Sequence, residues 1–182
     1  IEALGMSLPN SSAQEAGSED KRNDCHRAGA AVLELIKNDI KPSDIMTRKA
    51  FENALTVAWA LGGSTNAVLH ILALAHAAGV PLTLTDIEQI TERVPLLGNF
   101  KPFGEYRMHA LLKIGGVPMV MKTLLQAGYL HGDCMTVTGK TLAENVAGAP
   151  QRPENQDVLY SPEKPYAAAK RHIRVLRGNL SS

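Results

Sequence analysis

Residues 50–80 read AFENALTVAWALGGSTNAVLHILALAHAAGV, and how this stretch divides decides the fold. Thr47 stands just before it as a good N-cap, and Phe51, Ala54, Leu55 and Ala58 recur on one helical face. Gly62 and Gly63 end that helix, because glycine adopts the left-handed conformation of a C-cap at little cost. A second helix follows and stops at Gly79, with Pro81 beyond. From Ala67 to Ala75 it is apolar nearly all round, which predicts burial on most sides. His70 and His76 are six positions apart and do not share a face, so they form no metal pair. His70 reads as a buried histidine with one hydrogen-bond partner, and His76 as a side chain near the terminal carbonyls.

The composition is that of a globular chain: 182 residues, net charge +1 and 45% hydrophobic. That is enough for one medium domain, or one domain and part of another. The near-zero charge and the lack of a long Lys/Arg run argue against an electrostatic nucleic-acid binder. With 4% aromatics, stacking platforms for single strands are not expected either. No apolar run reaches the roughly 20 residues of a membrane span. Two cysteines, Cys25 and Cys134, are too few for a disulfide framework, and reduced thiols in an intracellular protein fit better. The text begins without Met in helix-like residues and ends in a strand-like pattern, so it reads as an excerpt of a longer chain.

Outward from residues 50–80, the first residues read as a helix end stopped near Gly5, and Ser12 with Glu15 as the capping box of a short helix. Ala28, Val32, Leu35 and Ile36 predict a helix from about Glu19 to Asn38. Thr85 and Glu88 are at capping-box spacing for a short helix ending before Pro95. LLGNFKPFGEY reads as a loop, followed by helices over about Glu105–Ile114 and Pro118–Ala127. CMTVTG predicts a short strand, and Thr141 with Glu144 caps the next helix. Pro150, Pro153, Pro162 and Pro165 mark residues 149–165 as a linker, and HIRVLRGNLS beyond it alternates like a strand.

GGSTN is the place where chemistry could sit. A helix N-terminus carries unpaired N–H groups and a partial positive charge. Ser64, Thr65 and Asn66 add side-chain donors, and the glycines let a ligand approach the backbone. The combination suits a carboxylate or a phosphate. The same residues equally make a plain junction, with Gly-Gly ending one helix and Ser or Thr capping the next. DCH at Asp24–His26 and HGDC at His131–Cys134 hold ligand types without zinc or iron–sulfur spacing. Nucleophile-elbow, P-loop and dinucleotide fingerprints are missing. The residues alone describe a mostly helical domain with one anion pocket, and leave open a non-catalytic helical binding module.

In order along the chain, GMSLPNSS (5–12), residues 50–80, VPLLGNFKPFGEY (94–106), GGVPMV (115–120) and HGDCMTVTGKTLAENV (131–146) resemble the dihydroxy-acid and sugar-acid dehydratase family. GGSTNAVLH followed by TVTGKTL is a specific pair, and the dihydroxy-acid branch fits best; the alternative is a sugar-acid or 6-phosphogluconate dehydratase. The resemblance implies an α/β fold: a mostly helical, layered first domain with short strands, then the start of a β-barrel-like swivel domain. It divides the chain into residues 1–148, the C-terminal part of the cluster-bearing first domain; 149–165, the linker; and 166–182, the start of the second domain. It implies a central fragment of a hydro-lyase that turns 2,3-dihydroxy carboxylates into 2-keto acids in valine and isoleucine biosynthesis, inactive by itself.

The family's iron–sulfur cluster and magnesium ion are implied for the full-length enzyme, with no ligand and no catalytic residue in this chain. The resemblance raises the expectation that Ser64, Thr65 and Asn66 lie near a substrate carboxylate. It further implies a small-molecule substrate, a homodimer without nucleic acid or membrane partners, and a cytoplasmic enzyme (mitochondrial or plastid in a eukaryote).

Overall fold

A computed structural model describes residues 1–171 and 173–179. Its long helices start and stop where side-chain chemistry dictates. Helix α1 (Glu19–Lys37) is capped by Ser18, whose hydroxyl accepts from the Lys21 N–H. After the single turn α2 (Pro42–Ile45), Thr47 caps α3 (Arg48–Ala60) by accepting from the Ala50 N–H. At the far end of α3, Gly62 takes a φ of 87°. Its N–H donates to the Trp59 carbonyl and the Gly63 N–H to that of Ala58, at 3.0 and 2.7 Å, the six-residue closure that satisfies terminal carbonyls. Helix α4 (Thr65–Ala77) follows, capped by Ser64 and closed the same way at Gly79.

Thr83 and Asp86 form the capping box of α5 (Leu84–Arg93). The expected pair Thr85 and Glu88 lies two residues too late, inside the first turns. The helix expected over 105–114 shrinks to α6 (His109–Leu112), and α7 (Gly116–Gln126) begins two residues before Pro118. Thr141 and Glu144 cap α8 (Leu142–Ala147) as expected. No helix forms at Ser12–Glu15, where the chain turns instead, and the first residues form turns around Gly5.

The core is centred on α3, which packs against α4, α5 and α7. Phe51, Leu55, Trp59 and Ala60 are fully buried, and even Asn53 and Thr56 are out of solvent. The burial expected of α4 belongs to α3. Only Ala75 of α4 is buried, while His70 and His76 are exposed and Leu69 is 69% exposed. The caps at Ser64 and Gly79 delimit α4 as a helix; its neighbours determined how much of it is covered. Helix α1 likewise leaves Val32, Leu33 and Ile36 open to solvent.

Among the described residues, β pairing is limited to isolated bridges. The strand expected in CMTVTG is one bridge, Met135 to Thr141, because the chain reverses at once: Thr136 N–H donates to Lys140 O at 3.0 Å. The loop expected at LLGNF is a buried extended segment. Leu97 and Gly98 N–H both donate to the Ala60 carbonyl, and Gly98 bridges Leu159. Residues 149–165 supply Val158 and Leu159 to the main core cluster, so that segment is anchored in its second half. The strand expected at HIRVLRGNLS is partly outside the described residues, at 172 and 180–181; residues 173–177 have no ladder partner, and no barrel is formed among the described residues.

Candidate functional site

The α3–α4 junction is built by the two helix ends just described. Ser64 has extended backbone and its Oγ accepts from the Asn66 N–H at 3.2 Å. The Ser64 hydroxyl is therefore engaged in capping, while Thr65 and Asn66 are exposed. A cavity of about 420 Å³ opens at this helix start, lined by Gly63, Ser64, Thr65, Pro102, Phe103, Ile173 and Arg174. Of the three residues singled out in the sequence, the fold brings Ser64 and Thr65 into the cavity wall and leaves Asn66 outside it. With Arg174 among the lining residues and the positive end of α4 at its edge, the cavity favours an anion. No local pattern points to Arg174: it is more than a hundred residues away from Thr65 and arrives beside Ile173, which packs against the core.

Gly63 has a specific reason to be glycine. A Cβ there would lie 2.6 Å from two atoms of the Trp59 ring and 2.9 Å from the Ala58 carbonyl oxygen. The close helix junction depends on its absence.

The polar residues of HGDC serve a different purpose. Asn53 of α3 clamps the loop backbone in both directions, accepting from His131 N–H at 2.8 Å and donating to His131 O at 2.9 Å. The His131 ring nitrogen Nε2 is 2.8 Å from Glu52, which also accepts from Arg48 at 2.9 Å. Burial pushes the Glu52 carboxyl up, but hydrogen bonds from Arg48 and His131 outweigh it and hold the group below its usual range. Arg48 continues to Asp86 at 2.7 Å. Hydrogen bonds from Arg48 and then Thr83 hold Asp86 well below the usual carboxylate range. Lys49 pairs with Asp133 at 2.6 Å. These contacts tie the loop and the start of α5 to α3.

The donor set does not fit an iron–sulfur cluster or a magnesium ion. Cys25 is exposed on α1, whereas Cys134 is buried and accepts from Asn53 at 3.5 Å. Desolvation, foremost, pushes the Cys134 thiol up to about 11, the opposite of what a thiolate ligand needs. No group of three or more His, Cys, Asp or Glu side chains converges among the described residues. No described helix is long and apolar enough to cross a membrane.

Residues 1–145 match the family model described as dihydroxy-acid/6-phosphogluconate dehydratase N-terminal. The match is to the family's N-terminal part, which corrects the central placement expected from the sequence. Similar curated proteins include a dihydroxy-acid dehydratase of Chromohalobacter salexigens, 58% identical over 181 residues. Those of Methylococcus capsulatus and Lactococcus lactis subsp. cremoris are 59% and 54% identical. Each alignment covers 100% of this chain and 32% of the relative, so the chain spans about a third of the length of the curated relatives it matches.

Proposed function

Because this chain belongs to the dihydroxy-acid/6-phosphogluconate dehydratase family, we propose that it forms part of a hydro-lyase that dehydrates 2,3-dihydroxy carboxylates to 2-keto acids in valine and isoleucine biosynthesis. The observation that carries this reading is identity of 54–59% along the whole chain to proteins named dihydroxy-acid dehydratase. A sugar-acid or 6-phosphogluconate substrate is the second reading, favoured by the breadth of the family description. The reading extends to a cytoplasmic homodimer as the full-length enzyme.

Within that reaction the contribution of these residues is binding. The start of α4 and Arg174 receive the substrate carboxylate, with Thr65 the side-chain donor left over once Ser64 caps the helix. The close approach at Gly63 keeps the junction narrow, and Phe103 and Ile173 supply an apolar wall. The family's iron–sulfur cluster and magnesium would supply Lewis-acid chemistry from outside this chain, since no group of the described residues fits as their ligands.

The test compares Ser64→Ala and Thr65→Ala in the full-length enzyme, assayed on 2,3-dihydroxyisovalerate and on gluconate. Loss of the Ser64 cap costs about 0.5–2 kcal/mol of stability. Loss of a preorganised donor at Thr65 lowers turnover by roughly 10²–10³ in a protein that stays folded. Turnover of Thr65→Ala that falls only with the folded fraction would reduce GGSTN to a helix junction. Activity on gluconate alone would select the second reading.

A further inference from the structure

Helix α4 has the sequence TNAVLHILALAHA, without one Asp, Glu, Lys or Arg, yet it lies at the surface. Its outer side presents Asn66, Leu69, Ala73 and Ala77, with His70 and His76 on the opposite edges of the strip, all exposed. These positions recur at three- and four-residue spacing and so form one continuous stripe. A solvent-facing helix ordinarily carries charge on its outer side; this one keeps the composition of a helix covered on both sides.

We propose that the outer face of α4 is an internal packing surface of the full-length protein, covered by polypeptide of the same chain from outside residues 1–182. Two observations select this occupant. The curated relatives are about three times as long as this chain, which spans 32% of each. A helix of 13 residues is about 20 Å long and 10 Å wide, so its outer face offers on the order of 200 Å². That is well below the roughly 800 Å² each partner contributes to a stable complex between separate proteins. A small patch suffices where the covering segment is tethered, since linkage raises its effective concentration.

The stripe also describes what fits it. Ala73 and Ala77, one turn apart, put only methyl groups on this face, and Leu69 beside them is 69% exposed. The covering element brings a large apolar side chain over Ala73 and Ala77, leaves space for Leu69, and offers hydrogen-bond partners to the His70 and His76 rings. This inference is independent of the carboxylate reading of the α4 start.

Hydroxyl-radical footprinting read by mass spectrometry tests it on the full-length protein. The rates at Leu69 and His76 are referred to the same residues in urea. The expected result is a rate about tenfold below the unfolded one, unchanged on dilution of the protein. Reaction of Leu69 near the unfolded rate would overturn the proposal by showing an open face. Protection that fades on dilution would overturn it in favour of a second copy. Ala73→Glu adds a variant arm: protection at Leu69 should be lost, or the soluble protein should fall, and a soluble variant with wild-type protection and melting would overturn the proposal as well.

Discussion

Replacing Gly63 by alanine puts a methyl group where there is no space. Its Cβ would stand 2.6 Å from two atoms of the Trp59 ring and 2.9 Å from the Ala58 carbonyl oxygen. Trp59 is fully buried, so the ring has nowhere to go without displacing its neighbours. Overpacking of this kind costs about 1–3 kcal/mol. With a urea dependence of roughly 2 kcal/mol per M, the unfolding midpoint should drop by about 0.5–1.5 M. Backbone strain is not involved, because Gly63 is outside the left-handed region. Gly148→Ala is the control: Gly148 has φ −80° and nothing within 4 Å of its Cβ position, so alanine there should stabilise by about 0.4–1 kcal/mol. Trp59→Leu removes the two ring atoms at 2.6 Å and leaves only the Ala58 carbonyl oxygen at 2.9 Å, so the double variant with Gly63→Ala should be more stable than the two single effects predict, by about 0.5–3 kcal/mol of coupling. A Gly63→Ala midpoint equal to wild type, or strict additivity with Trp59→Leu, would refute the close-packed junction.

Asp86 is the next lever. Its folded pKa lies below the ordinary carboxylate value, so its stabilisation is fully present above about pH 4 and is lost as the pH falls through the folded value. Asp86→Asn should lower stability at pH 7 by about 0.5–2 kcal/mol, the range of a lost helix cap, and should flatten the decline between pH 4 and pH 2. Urea midpoints of the two proteins that run parallel from pH 7 to pH 2 would contradict the Arg48–Asp86–Thr83 arrangement. The thiols should also separate kinetically. Cys25 is exposed and should react with Ellman's reagent in the native chain, whereas Cys134, buried with its thiol near 11, should react only on unfolding. Two thiols of equal native reactivity would show that the HGDC loop is not clamped to α3.

The helix ends were legible in the residues. Thr47, Gly62, Ser64, Gly79 and Thr141 act where they stand, because capping involves a side chain and backbone groups within one turn. The misplaced box at Thr85 shows the limit of spacing alone: Thr83 with Asp86 offers the same geometry two residues earlier, and Asp86 gains Arg48 as a further partner. For residues 149–165, the prolines indicated a linker, but Val158 and Leu159 find the LLGNF segment and are anchored by it. The cavity at GGSTN was half legible. Its helix start is local, while Arg174 enters the wall through a return of the chain that leaves no mark on either segment.

By itself the sequence determined that α3 and α4 are helices, where they end, and which family the chain belongs to, since caps, periodicity and motifs are properties of neighbouring residues. The tertiary structure alone decided which helix is the core. Helix α3, with Arg48, Lys49 and Glu52 in its first turns, is enclosed by α4, α5 and α7, whereas the more apolar α4 keeps one face open. Hydrophobicity sets the free energy gained if a face is covered; whether it is covered depends on which elements the chain can bring to it, and that is a matter of contacts distant in sequence.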